Sequence, residues 1–382
     1  MKSGLSASKY IRNNKRTCFV LIIALGLTFA AMYIINYMLM VTEESFKPIY
    51  LELPKKVAYA DLTPETLGVK TQDGNVEKAI PEAREELIRK LKSTDGVRDA
   101  YYTQVANANY NAVFGNTGYE FPLVDADKIP EFLEHVGAKL VEGNMPSGEG
   151  EILCDSIILK NQGLHVGDWF LENSYGKVFK VVGVIESDCM ACVGMPNGFN
   201  NTGWYITVLV DEEHADFRKL AESLGYQISE LDKVDDIVQY RKDKETDVDN
   251  VVRSVSDVIL LVVMIFLAIS VLVAYISFLR NRVNEYCLYA SIGFSKREIY
   301  GMIMREMGII FGTGLLLGAV SSLIGMALLD RLLINPQGLI SAWWYPGQVG
   351  ASLAAFAAIV GLLQIPILIT VHSIRTVDLM ED

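Results

Sequence analysis

The sequence lacks every short motif by which a common catalytic site announces itself. It holds no G-x-x-x-x-G-K-[ST] phosphate loop, no H-E-x-x-H metal motif and no G-x-S-x-G nucleophile elbow. Those absences exclude a self-contained P-loop ATPase, a zincin and an α/β-hydrolase. Histidine is scarce. The four, His135, His165, His214 and His372, are far apart in sequence and make no metal-ligand pattern. No catalytic residue and no metal ligand is therefore assigned, and no cofactor is expected on this chain. Basic residues are in deficit too, 34 Lys and Arg against 46 Asp and Glu. A nucleic-acid binder would show a basic face, so that class is excluded.

What is present is apolar. Hydrophobic residues make up 51% of 382, and the mean hydropathy is +0.26. Charged residues still reach 21%, so a polar domain must accompany the apolar part. The charge is unevenly spread. Between Thr42 and Asp257 there are 39 acidic and 22 basic residues, while the rest holds 7 and 12. An acidic aqueous domain joined to basic membrane flanks accounts for this.

Four runs reach the length of about 20 residues that a membrane-spanning helix needs: Thr17–Val41, Val258–Leu279, Gly308–Leu329 and Val349–Val371. The first follows Lys2, Lys9, Arg12, Lys15 and Arg16 without an intervening acid. A cleaved signal peptide is the competing reading, but the apolar run continues to Val41 with no clear small-residue cleavage site, which favours a retained helix. Arg280 and Arg282 follow the second run, Lys296 and Arg297 precede the third, and Arg375 follows the fourth. Basic residues collect on the cytoplasmic side, so both termini are expected inside a multi-pass plasma-membrane protein.

The resulting map is a basic leader (1–16), a first span (17–41), an extracytoplasmic domain (42–232), a stalk (233–257) and a second span (258–279). A cytoplasmic loop (280–307), a third span (308–329), a short external loop (330–348), a fourth span (349–371) and a cytoplasmic tail (372–382) follow. The leader reads equally well as an amphipathic helix on the inner membrane face and as a disordered leader that sets orientation. In the external domain, strands are expected at Lys55–Asp61, Val97–Gln104, Glu151–Leu153, Val178–Ile185 and Tyr205–Val210, with helices at Pro81–Ser93 and Glu212–Leu224. The fold class is therefore a four-helix membrane protein with a large α+β domain, in two lobes, between helices 1 and 2. The stalk carries no Pro or Gly and passes directly into the second span, so it reads as one continuous helix.

Of five cysteines, Cys189 and Cys192 have C-x-x-C spacing in the external segment. A structural disulfide between them is preferred over two free thiols, and both over a redox pair. Gly314, Gly318 and Ser322 in the third run, and Gly350, Ala354 and Ala358 in the fourth, recur at spacing four. Small residues so spaced let membrane helices approach closely. Pro366 is expected to kink or end the fourth helix.

The loop from Arg280 to Glu306 holds the functional candidates. Leu288, Ile292, Ile299 and Ile303 are apolar at helical separations, Gly293 falls at a break, and Ser295 is placed to cap a second helix. Glu306 is a carboxylate at the edge of a membrane helix, costly unless partnered. The loop is either a helical hairpin that merely reverses the chain or a docking element for a cytoplasmic partner.

At this loop the sequence resembles the FtsX/MacB superfamily of ABC transporter permeases. The match runs through Glu285, Leu288, Ala290, Ile292, Gly293, Phe294, Ser295, Lys296, Arg297, Glu298 and Ile299, then Glu306 and a Gly-rich helix. Arg12–Arg16 before the first helix, Leu140–Leu153 with Gly167-Asp168 and Val181–Val184, and the ending Ser373–Leu379 are similar as well. The resemblance implies a permease dimer, as a homo- or heterodimer, served by a separate cytoplasmic ABC ATPase subunit that holds the ATP and Mg. It implies that the loop couples the two chains, with Arg282, Glu285, Leu288, Ile292, Gly293, Ser295, Lys296, Arg297, Glu298 and Glu306 as its residues. The function implied is export or handling of a peptide or other extracytoplasmic cargo. The rivals are an FtsX-like regulator of cell-wall hydrolases and a module that senses or resists antimicrobial peptides.

Overall fold

A computed structural model describes residues 11, 14–61, 76–93, 96–171, 178–197, 203–211, 258–259 and 261–374. Most of the leader and the C-terminal tail, the helix expected at Glu212–Leu224 and the stalk at 233–257 lie outside the described residues. The chain divides into two compact units, one of Met1–Met40, Arg253–Arg331 and Ala342–Asp382, the other of Val41–Val252 with Leu332–Ser341.

The first unit is helical. Among the described residues four helices are long and apolar enough to cross a membrane: Lys15–Lys47 (α1), Leu261–Arg280, Lys296–Ile334 and Pro346–Ser373. The third begins at Lys296, well before the apolar run at Gly308, because the cap at Ser295 starts it there. The fourth is two pieces, Pro346–Leu362 and Gln364–Ser373. A proline ring clashes with the carbonyl four residues back, and for Pro366 that residue is Leu362, where the first piece ends.

The small residues of the third helix have a partner inside the chain. A Cβ built on Gly314 would lie 2.9 Å from Leu25 Cβ, and one on Gly318 2.8 Å from Gly26 O. Ser322 on the same face is buried. Gly350, Ala354 and Ala358 on the fourth helix are exposed, and Gly350 has nothing within 4 Å of its Cβ position. Two buried amides tie the first helix to the fourth: Gln348 Nε2 donates to Tyr33 O at 2.9 Å, and Asn36 Nδ2 to Gln348 O at 3.3 Å.

The second unit is built on a nine-stranded sheet, with strands β1 (Val57–Asp61), β2 (Val97–Asn111), β3 (Asn116–Leu123), β4 (Lys139–Gly143), β5 (Glu151–Asp155), β6 (Trp169–Phe170), β7 (Phe179–Glu186), β8 (Cys192–Gly194) and β9 (Gly203–Val210). The order is β1-β9-β2-β3-β8-β5-β7-β4, with β6 on β7. Two halves share one sheet and join through β8, which is three residues long. It meets β3 in a single pair, Leu123 with Gly194.

Helix α2 (Val76–Lys92) lays Leu87, Ile88 and Leu91 on Ala100, Ile206 and Val208. Helix α3 (Ile129–Val136) buries Ile129, Phe132 and Val136 among Tyr101, Leu153, Ile185 and Leu209. Strand alternation separates these two cores: Ala100 and Tyr101 are neighbours in β2 and face opposite ways. Helix α4 (Ser156–Gln162) starts at Asp155, whose carboxylate accepts from Ile157 N at 2.9 Å. Residues Leu332–Ser341, which follow the third membrane helix, fold with this unit. Tyr110 Oη donates to Gly338 O at 2.7 Å and Ile340 N to Ser45 Oγ at 2.9 Å.

Cys189 and Cys192, the expected disulfide pair, are free and buried, and so is Cys154. Cys189 belongs to the α3-covered core with Ala191 and Val193, and its thiol faces Val136 O at 3.9 Å. Cys192, between Ala191 and Val193, points to the other side of the sheet.

Candidate functional site

The loop between the second and third membrane helices is a helical hairpin. Helix α5 (Leu261–Arg280) ends at Arg280, α6 spans Val283–Ser291, and α7 runs Lys296–Leu329. The turn between α6 and α7 is fixed at both sides. Gly293 has φ +96°, a left-handed conformation that costs glycine little. Phe294 N donates to Tyr289 O at 3.1 Å and Gly293 N to Ala290 O at 3.0 Å, the paired closing bonds of a Schellman C-cap. The Tyr289 and Phe294 rings, 6.0 Å apart, supply the apolar contact that accompanies that motif. Two residues on, Ser295 and Glu298 form a reciprocal capping box: Glu298 N donates to Ser295 Oγ at 3.3 Å and Ser295 N to Glu298 Oε2 at 2.8 Å.

Beneath the hairpin lies a buried ion pair. Arg282 and Glu306 are 3% and 2% exposed. The guanidinium holds Glu306 through both oxygens, Nη1 to Oε2 and Nη2 to Oε1. Its Nε donates to Glu285 Oε2 at 3.1 Å, and it stacks 4.9 Å from the Tyr286 ring and 5.6 Å from that of Phe278. A planar fork with five donors suits such a three-way junction, and a lysine would not replace it. The pair links the end of α5 and the start of α6 to the early turns of α7, and it answers the cost of placing Glu306 there.

The candidate residues therefore separate into three groups. Leu288 and Ile292 are 59% and 64% exposed, and Lys296 and Arg297 are exposed beside them. Gly293, Ser295 and Glu298 shape the turn. Arg282 and Glu306 are interior. Glu285 sits between, half exposed and bonded to Arg282. Glu298 is likewise committed to its cap rather than offered as a free charge. Ile299 and Ile303, grouped with Leu288 and Ile292 by spacing, are buried. Sequence reasoning missed Tyr286 and Phe278, whose signal was aromatic spacing around Arg282. Lys296 Nζ also donates to His372 O at 2.9 Å, tying the start of α7 to the end of the fourth membrane helix. Among the described residues no group of three or more His, Cys, Asp or Glu is placed to hold a metal ion.

Residues 258–377, which include this hairpin, match the family model of the FtsX-like permease C-terminal domain. Among solved structures, the chain is similar to the periplasmic region of MacB from Actinobacillus actinomycetemcomitans, with 11% identity and a TM-score of 0.26, over 52% of this chain and 96% of that one. It is similar also to the extracellular domain of the noncanonic ABC-type transporter YknZ from Gram-positive bacteria, with 14% identity and a TM-score of 0.24, over 41% and 82%. No curated protein sequence matches the chain.

Proposed function

We propose that this chain is the permease subunit of an ABC transporter of the MacB/FtsX type, working as a dimer with a cytoplasmic ATPase that holds the ATP and Mg. The observation that carries the reading is α6, within the segment matching the FtsX-like permease model, which presents Leu288 and Ile292 to solvent beside Lys296 and Arg297. Two large apolar side chains on one helical face suit a protein partner, and the flanking cations select it. Residues 42–257 lie outside the cytoplasm and both termini inside, as the basic clusters require. The exposed Gly350, Ala354 and Ala358 offer a close-approach face to a helix of the second copy.

Closure of the ATPase pushes on α6. Arg282 passes the push to α7 through Glu306, because a buried bidentate pair does not slip without losing both bonds. Helix α7 is continuous to Leu329, and Leu332–Ser341 beyond it fold with the α/β unit. Motion at the hairpin is thus carried along one rod into the external domain, which acts on a peptide or protein cargo there. Replacing Leu288 and Ile292 together by Asp is expected to leave insertion and the α/β fold intact while abolishing ATPase binding and stimulated hydrolysis. Normal co-purification and hydrolysis with the double variant would sink the assignment. Deletion of the chain separates the rivals by phenotype: loss of peptide export points to the transporter. A regulator changes cell-wall cleavage, and a sensor loses induction while export persists.

A further inference from the structure

Cys154 and Cys192 are direct cross-strand neighbours in the antiparallel pairing of β5 with β8. The kind of pair follows from the hydrogen bonds around it. Asp155 N donates to Ala191 O at 3.1 Å, and Met195 N to Glu151 O at 2.9 Å. Those pairs are hydrogen-bonded ones, and the two kinds alternate along an antiparallel ladder, so Cys154 and Cys192 occupy a non-hydrogen-bonded pair. There Cα atoms lie about 4.5 Å apart and side chains approach most closely, within the roughly 4.4–6.8 Å that a disulfide spans. Both side chains are buried, at 0% and 2% exposure. Tyr119 lies against them: burial, then the neighbouring Cys192 and Cys154, hold its hydroxyl pKa well above the usual value. Cys189 lies outside β8, in the turn that precedes it, and its side chain belongs to the α3-covered core.

We propose that Cys154 and Cys192, and not the C-x-x-C pair, are the disulfide-forming cysteines of the α/β unit. The inference rests on the reading that this unit lies outside the cytoplasm, where disulfides persist. The oxidant is a small-molecule disulfide. The thiolate of one cysteine attacks it, forming a mixed disulfide and expelling one thiolate. The second cysteine thiolate attacks the cysteine sulfur of that intermediate, closing Cys154–Cys192 and expelling the other thiolate. The two protons lost by the cysteines go to the two expelled thiolates. Burial, then the adjacent Cys192, push the Cys154 thiol well above its usual pKa, so reaction requires β8 to open. It is three residues long and meets β3 in a single pair, so few bonds must break for it to do so. Once closed, the bond fixes to β5 the strand that joins the two halves.

The full-length reduced protein in detergent is carried through mild denaturant and back with oxidised glutathione present, then denatured, alkylated without reduction and digested. The alkylated thiols are expected to fall from five to three, with the Cys154 peptide linked to the Cys192 peptide. The link survives in Cys189→Ser and is lost in Cys154→Ser. A Cys189–Cys192 link, or five alkylated thiols, overturns the proposal. Protein taken directly from its native membrane is expected to carry the same link. The orientation is read separately, by labelling Glu142→Cys in intact cells with an impermeant reagent. If Glu142→Cys is unlabelled, the orientation reading fails and the detergent result still decides the pairing. If it is labelled while Cys154 and Cys192 stay reduced in the membrane, the proposal fails for the cell.

Discussion

At the scale of single residues, the Arg282–Glu306 pair sets the energetics of the hairpin. Removing one partner leaves an uncompensated buried charge, which costs about 3–5 kcal/mol, whereas replacing both with apolar residues of similar volume is often nearly neutral. Arg282→Met and Glu306→Met are each expected to lower the thermal unfolding midpoint in detergent sharply. The double variant is expected to recover most of that loss while still failing to stimulate the ATPase, because packing is restored and the rigid link is not. A double variant no more stable than either single one would refute this account. Asp99 shows a milder version in the α/β unit. Burial alone raises its carboxyl pKa, but Lys92, the Ala100 N–H and Lys128 outweigh it and hold the value below the ordinary range.

At the scale of elements, the α6–α7 turn depends on one backbone conformation. Nothing lies within 4 Å of a Cβ placed on Gly293, so the penalty for Gly293→Ala comes from φ +96° and not from a clash. A side chain in that region costs about 1–2 kcal/mol. Amide exchange in the last turn of α6 is therefore expected to accelerate about tenfold in Gly293→Ala, with the midpoint of the α/β unit unchanged. Unchanged exchange would show that the Schellman bonds do not hold the turn. The sheet narrows at β8, the three-residue strand between β3 and β5.

At the scale of the whole molecule, the proposed machine has its power stroke and its working domain on opposite sides of a membrane. In cells carrying single introduced cysteines on a Cys287→Ser background, an impermeant thiol reagent is expected to label Glu142→Cys and to spare Arg297→Cys until the membrane is permeabilised. The reverse pattern would invert the topology and remove α6 from the reach of a cytoplasmic ATPase. The loop Leu332–Ser341, which follows α7 in the chain, is held in the α/β unit by Tyr110 Oη donating to Gly338 O and Ile340 N donating to Ser45 Oγ.

Length, hydropathy and charge by themselves determined the four membrane-capable helices, because about 20 apolar residues in a row admit few other fates. Local rules also placed the Gly293 break, the Ser295 cap and the effect of Pro366, since caps and proline act within one helical turn. The sheet was less legible. β3, β4, β6 and β8 are not legible in the sequence, and β2 ends there at Gln104, because Asn107, Asn109 and Asn111 disfavour a strand and pairing with β3 holds them extended. Which face a residue takes was decided by tertiary structure alone. Spacing grouped Leu288 with Ile303 and Cys189 with Cys192. Packing left the first of the former pair exposed and buried the second, and the turn before β8, with Met190 at φ +53°, set Cys189 in the α3-covered core while Cys192 lies in the strand itself. Cys192 then met Cys154, distant in sequence, because pairing in a sheet is a long-range contact that no local spacing encodes.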